Sequence, residues 1–378
     1  MNRITTSPRH NWQAKVEEIG LTYHTPGGQT YWDESAYYSL SAAEVDQLEA
    51  AANELHQRCI DAAGHVIEGN LFSQLGIPER AIPFIRNSWE RDDFSLYGRF
   101  DFAFDGKNPP KMLEYNADTP TSLVEAAVAQ WFWLKDTNRH QDQFNSVHEK
   151  LIAAWKQIGA NHPGMVHLGG VKENLEDEQT VLYIQDTCHQ AGIKTQKLFI
   201  EDLGFDRKQT RYVDLQGTPV TNYFKLYPWE WMWHEEFAFT LEKECATFVE
   251  PMWKMLLSNK GLLPILWQLF PDHPNLLPAA FSPGELPGDQ LNYIAKPKLS
   301  REGSNVTIFE GGVPLEQNSG EYGEEGYVYQ ARADLGNHLG NHPVFGVWVV
   351  NHEACGLGIR EDTRLITGNY SRFIPHLF

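Results

Sequence analysis

The stretch GRFDFAFDGKNPPKMLEYN, residues 98–116, leaves the chain little conformational choice. Phenylalanines alternate with Arg99, Asp101 and Ala103. A second alternating run carries Met112, Glu114 and Asn116, and DGKNPP separates the two. Period-two alternation broken by Gly, Asn and Pro predicts two antiparallel strands joined by a turn. With a loop at Gly106–Pro109, Asp101 falls opposite Glu114 and Arg99 opposite Asn116. Phe100, Phe102, Leu113 and Tyr115 then turn to an apolar face. Like charges directly across a ladder are destabilising, so the Asp/Glu pair needs a reason. One is a solvated outer face, where long side chains diverge into water. The other is a hard divalent cation, which takes one or two carboxylates together with substrate phosphates. The hairpin alone leaves both open.

Bulk properties narrow the function classes. A chain of 378 residues with 42% hydrophobic content, twelve Trp and twenty Phe has material for two or three cores and is not a disordered protein. A formal net charge of −19 argues against nucleic acid or an anionic membrane as the main partner. Cys59, Cys188, Cys245 and Cys355 are scattered and form no CxxC pair, so neither a disulfide framework nor a zinc knuckle is indicated. MNRITTSPRHNW has no signal-peptide pattern. The apolar region at 253–270 is broken by Lys254, Lys260 and Pro264, so a cytoplasmic protein is expected.

Along the chain, Ser41 with Glu44 forms a capping-box pattern ahead of a helical run at 42–67. SLVEAAVAQWFWLKD predicts a second helix directly behind Asn116 and Asp118. From Met165, VHLGG, TVLYIQDTCHQAG and IKTQKLFIEDLGFD follow in βαβ order. Later strands are expected at Tyr293–Lys296, Val306–Glu310 and Tyr327–Gln330.

Several strings carry chemistry. NYIAKPKLSREGSNVTIFEGG places Lys296 at a strand end, followed by a Ser300–Asn305 loop that leads into another strand. It is not a Walker A motif, yet a Gly-centred loop can aim backbone N–H groups at phosphate oxygens beside a lysine charge. An ordinary Gly turn in a hairpin gives the same string. Lys260 sits in an apolar segment and could simply snorkel. GYVYQARAD reads as a strand leading to Gln330, either plain core or an adenine-edge hinge. Arg360, beside Glu361 and Asp362, is either a surface ion pair or a clamp on a transferring phosphoryl group. The cluster around His352, Glu353 and Cys355 lacks HExxH or paired-Cys spacing, and no GxSxG elbow is present.

Taken together, GRFDF, LEYNADTPTSL, SNKGLLPILW, AKP-x-x-SREGSNV, YVYQ and GIRED with ITGNYSRFIPH resemble the glutathionylspermidine synthase-like proteins, over nearly the whole chain. The resemblance implies an α/β (α+β) ATP-grasp fold with an inserted, pre-ATP-grasp-like βαβ layer. On that plan, residues 1–164 form the first part of the ATP-grasp unit, 165–232 the small α/β domain and 233–378 the nucleotide-binding part. It also implies an ATP-dependent ligase that phosphorylates a carboxylate to an acyl phosphate, which an amine then attacks. Position by position, Asp101, Glu114 and Asn116 match ligands of two Mg2+ ions. Lys260 and Lys296 match nucleotide lysines. Ser300, Gly303, Ser304 and Asn305 belong to the loop over the phosphates, and Gln330 falls at the adenine hinge. Arg99 and Arg360 match arginines near the transferring phosphoryl group and the acceptor carboxylate. Thr119, Thr121 and Ser122 follow the metal ligands where substrate is expected, in place of the Ser and Cys of bifunctional members. Those members also carry an N-terminal amidase that has no counterpart here. The expected partners are a small-molecule acid, such as an amino acid or small peptide, and an amine, with a polyamine as candidate. The alternatives are a true glutathionylspermidine synthetase, a small-molecule kinase, and a non-catalytic nucleotide- or peptide-binding protein on the same scaffold.

Overall fold

The computed structural model describes residues 1–288 and 290–378. The hairpin forms at Tyr97–Ala103 and Lys111–Asn116, with Arg99 opposite Asn116, Phe100 opposite Tyr115 and Asp101 opposite Glu114. Beyond that rung the register shifts, so that Phe102 meets Met112 and Leu113 is one residue extra. Such a bulge re-aims side chains beside it. The expected faces are therefore corrected at two positions. Met112, not Leu113, joins Phe100, Phe102 and Tyr115 in the core, and Leu113 turns to a cleft.

The hairpin is one edge of a five-stranded antiparallel sheet that continues through His342–Val350, Glu353–Asp362 and Arg372–Ile374. This central sheet is covered on its Phe100 side by the helix Ala42–Glu68. Both arms of the Ser41/Glu44 capping box are made at its start. Its buried Val45, Leu48, Ala52, Leu55, Cys59, Ala62 and Val66 recur at helical spacing. On the opposite side, Tyr97 and Trp348 lie under the helix Val147–Asn161 and the segment after Ser122. That segment is not one uniform helix. It begins with Ser122 at a positive φ, passes through a π-helical turn at Glu125–Ala129, and continues as α-helix over Gln130–Thr137. The wide turn seats Glu125 in full burial.

A four-stranded parallel sheet, ordered Thr195–Lys197, Val166–Gly169, Asn222–Lys225, Thr247–Val249, forms the βαβ layer with the helix Leu175–Gln190. A second antiparallel five-stranded sheet faces the hairpin. Its order is Ala279–Ala280, Tyr327–Ala331, Tyr293–Pro297, Thr307–Glu310, Val313–Gln317. Two antiparallel sheets thus enclose a cleft, in a mixed α/β architecture. Among the described residues, no helix is long and apolar enough to cross a membrane.

Tyr115 anchors the hairpin from behind. Its ring stacks on Phe100 with centroids 3.8 Å apart, and its hydroxyl lies 3.0 Å from His56 Nδ1. Gly98 leaves room for it, since a Cβ there would stand 2.7 Å from the hydroxyl and 2.8 Å from Cε2. Gly98→Ala should therefore destabilise the protein by about 1–3 kcal/mol, the usual effect of overpacking a filled core. Urea denaturation would show this as a lower midpoint with an unchanged slope.

Candidate active site

One face of the Tyr97–Ala103 strand carries Tyr97, Arg99 and Asp101. Helices cover Tyr97, and the other two face the cleft. The Arg99 guanidinium reaches Asp101 through Nε at 2.7 Å and Nη2 at 3.2 Å, and Nη1 donates to the Thr121 carbonyl. Arg360 Nη2, from the central sheet, donates to the same carboxylate at 2.7 Å. Burial pushes the Asp101 carboxyl up, but Arg99 and Arg360 outweigh it and hold it below the usual carboxylate range. Glu114, across the rung, lies 3.1 Å from Lys260 Nζ. Burial and Asp101 raise its pKa, Lys260 and Lys296 lower it, and the cations prevail. Asn116 completes this wall, with Oδ1 accepting from the Thr119 amide.

Lys296 crosses from the second sheet. Its Nζ donates to the Leu113 carbonyl at 2.9 Å and to Gln330 Oε1 at 2.7 Å, while Gln330 Nε2 donates to the Met112 carbonyl at 3.0 Å. The bulge thus presents two successive carbonyls to the opposite sheet. Burial brings the Lys296 pKa down to about 8, against the pull of Glu114. Lys260 also donates to the Ser300 carbonyl, tying the 300–305 loop to the same end of the cleft.

Asp101, Glu114, Asn116, Lys260, Lys296, Ser300, Gly303, Arg99, Arg360, Thr119 and Thr121 all line this one cleft. Its space, open mouth included, is about 1390 Å3. Gly303 has φ 68°, and a Cβ there would stand 2.5 Å from the Thr367 carbonyl, so the loop lies tightly on the cleft rim. Four candidates are not on its lining. Gln330 stands behind Lys296. Ser304 packs towards Gly320, and Asn305 donates to the Tyr322 carbonyl. Ser122 is buried, with its hydroxyl 2.8 Å from that of Tyr31.

Other residues in the site escape a reading of motifs. Arg301 spans the cleft, donating to Thr119 Oγ1 and, at 3.0 Å, to Glu230. Arg332 and Glu302 also line it. Glu230, a lone acid among the tryptophans of YPWEWMW, could have been noticed for that reason. Behind Thr121 is an acidic wall of Glu125, Glu176 and Asp177. Burial, then the charge of Glu176, pushes Asp177 up to about 7, and burial pushes Glu125 up to about 8. Beneath Thr119, Asp118 is fully buried against Lys225 Nζ and accepts from the Trp229 amide.

The donors at Asp101, Glu114 and Asn116 are all hard oxygens, which suit Mg2+ completing its shell from phosphate. Among the described residues, no group of three or more His, Cys, Asp or Glu side chains gathers to hold a metal by itself. The set of two carboxylates and an amide fits a cation that arrives with its substrate.

The sequence matches the glutathionylspermidine synthase preATP-grasp family over residues 3–378. It is 42% identical over 393 residues to a Haemophilus influenzae protein provisionally named an acid–amine ligase, covering 100% of both chains. It is 30% identical to trypanothione synthetase of Crithidia fasciculata, over 86% of this chain and 54% of that one. With the bifunctional glutathionylspermidine synthetase/amidase of Escherichia coli the identity is 28%, over 96% and 63% respectively. The chain thus spans just over half to under two thirds of the two longer relatives. Among solved structures, a glutathione synthetase-like effector from Globodera pallida superposes with a TM-score of 0.60 at 11% identity, covering 97% of this chain and 96% of that one. That likeness establishes a shared fold.

The Asp118–Lys225 pair connects the parallel sheet to the turn that carries Thr119. Lys225→Met should cost about 3–5 kcal/mol, because it takes the ammonium partner from the buried Asp118 carboxyl and leaves only the Trp229 amide, among the described residues, donating to it. Lys225→Met paired with Asp118→Asn should recover part of this loss, measured as unfolding midpoints of the two variants.

Proposed function

Since the chain belongs to the glutathionylspermidine synthase family, we propose that it is an ATP-dependent acid–amine ligase working through an acyl phosphate. The observation that carries this reading is the facing arrangement of the cleft. The oxygen donors Asp101, Glu114 and Asn116 lie on one sheet, and Lys296 reaches over from the other. In this reading those three side chains hold two Mg2+ ions, and MgATP supplies the phosphoryl group. Lys260 and Lys296 bind phosphate oxygens as point charges, and the 300–305 loop covers them and excludes water. The 327–331 strand carries Gln330, whose side chain fixes the direction of Lys296. Arg99 and Arg360, both fixed on Asp101, orient the acceptor carboxylate and balance charge on the transferring group. Such chemistry is mostly positioning and electrostatics, which agrees with a site built from charged forks.

The acid in this reading is an amino acid or small peptide, contacting Thr119, Thr121 and Arg301. Ser122 contributes from behind through Tyr31. Glu302 on the cleft lining, with Glu176 and Asp177 behind Thr121, suits a cationic amine, with polyamines the natural class to test. The name of the Escherichia coli relative favours glutathione and spermidine as one specific pair to include. The deciding experiment is ADP release over a matrix of amino acids, short peptides, glutathione and polyamines. A ligase releases ADP and phosphate with amide product only when acid and amine are both present. ADP released with acid alone, leaving a stable phosphorylated product, would identify a kinase instead.

Two substitutions check the nucleotide end. Glu114→Ala should abolish turnover in a protein that still unfolds cooperatively, and wild-type-like turnover would remove the hairpin from the mechanism. Lys296→Met should weaken MgATP binding by at least about tenfold, since a hydrogen bond to a charged group is worth roughly 1.5–3 kcal/mol. Calorimetric titration measures this directly.

A further inference from the structure

The ligase reading puts one carboxylate of the acid between Arg99 and Arg360, and the same cleft holds another guanidinium. Arg99 Nη1 donates to the Thr121 carbonyl and Arg301 to Thr119 Oγ1, so the two arginines are fixed on the 119–121 segment two residues apart. All four residues line the cleft. Arg301 Nη2 also donates, at 3.0 Å, to Glu230, a further lining residue that comes from the Trp229–His234 helix. Arg301 Nε is buried and has no acceptor among the described residues. A guanidinium offers Nε–H and one Nη–H as a parallel fork that the two oxygens of a carboxylate fill. A buried N–H without an acceptor costs free energy until an oxygen reaches it. The free cleft thus holds a cation with an open donor directly beside an anion.

A group of one sign fits this pair poorly. A carboxylate on Arg301 would lie against Glu230, and an ammonium on Glu230 would lie against Arg301. A group with both signs on one carbon satisfies both partners at once. Resting on the acid–amine ligase reading, we propose that Arg301 and Glu230 form a subsite for a free α-amino-carboxylate head, at the end of the acid away from the carboxyl that is activated. The head carboxylate takes the Arg301 fork, and the head ammonium takes Glu230. The substrate class is then narrow. It covers dicarboxylic amino acids activated on the side-chain carboxyl, and peptides whose first residue is joined through its side chain and so keeps both α-groups. It leaves out α-linked peptides, whose α-ammonium has no carboxylate beside it, and monocarboxylic amino acids, whose one carboxylate is consumed by activation. Glu302, also on the lining, remains for the ammonium of the amine. Arg301 belongs to the 300–305 loop, so binding of the head also holds that loop at the cleft.

The test runs the substrate matrix with each acid in three forms: free, N-acetylated and α-amidated. Glutamate is paired with glutarate, and γ-glutamylglycine with α-glutamylglycine. The acids that give amide product should be those with the free head. Blocking either head group should lower kcat/KM by at least about 10²-fold, since a site built to hydrogen-bond a group rejects analogues that lack it. Glu230→Gln should lose most of the discrimination against N-acetylation, with KM for the amine and for MgATP near wild type. Arg301→Lys keeps the charge without the fork, and should lose most of the discrimination against α-amidation. A purely structural ion pair would lower turnover of every acid equally, and that result overturns the subsite. So does glutarate or α-glutamylglycine turning over as well as its counterpart, or a Glu230→Gln loss that falls on KM for the amine. If no acid and amine together yield amide and ADP, the ligase reading itself falls, and the subsite with it.

Discussion

Two carboxylates face each other on one rung of a ladder, and most of the cleft is arranged around that rung. Asp101 and Glu114 would repel across the pair if left alone. Arg99 and Arg360 hold one of them, Lys260 holds the other, and Lys296 lies close enough to lower the pKa of Glu114 further. These cations come from a neighbouring position on the same strand, from another strand of the same sheet, from the segment before helix Leu262–Leu269, and from the opposite sheet. A conflict of like charges thereby becomes the reason that four separate parts of the chain converge.

The convergence has a mechanical partner in the interior. Asp118 caps the turn into the 229–234 helix, that helix carries Glu230, Glu230 holds Arg301, and Arg301 reaches Thr119, one residue from the starting point. The turn after the hairpin, the Trp-rich helix and the 300–305 loop therefore close a ring. Buried ion pairs of this kind add little net stability compared with apolar packing, but removing one member is severe. Their physical value here is that they fix the relative placement of three segments.

The local alternation of residues 98–116 is sufficient to pair Asp101 with Glu114 and Arg99 with Asn116, because period-two polarity sets a register by itself. It could not reveal the extra residue at Leu113, since Met112 and Leu113 are both apolar and either one satisfies an inward position. The capping box at Ser41 and Glu44 is legible for the same local reason. The βαβ order from residue 165 is legible from alternating strand and helix patterns, and the family resemblance brings Lys260, Lys296 and Arg360 into view. What no local pattern contains is partnership at long range. Lys225 with Asp118 joins positions 107 residues apart, and the Glu125–Gln179 contact spans 54. Gln330 shows the same limit on a finer scale. The sequence points to its strand, but the direction of its side chain is decided by the carbonyl of Met112 and the ammonium of Lys296.

The bulge at Leu113 carries a consequence for how this region tolerates change. What residue 113 supplies to the opposite sheet is a main-chain oxygen, common to every amino acid, so that contact asks nothing of its side chain, which faces the cleft. Its presence is another matter. Deleting any one residue between 111 and 113 would straighten the strand, withdraw one of the two adjacent carbonyls, and leave Lys296 and Gln330 facing a different rung. Over evolutionary time such a segment is expected to vary in spelling while keeping its length, an inheritance of spacing more than of side chains.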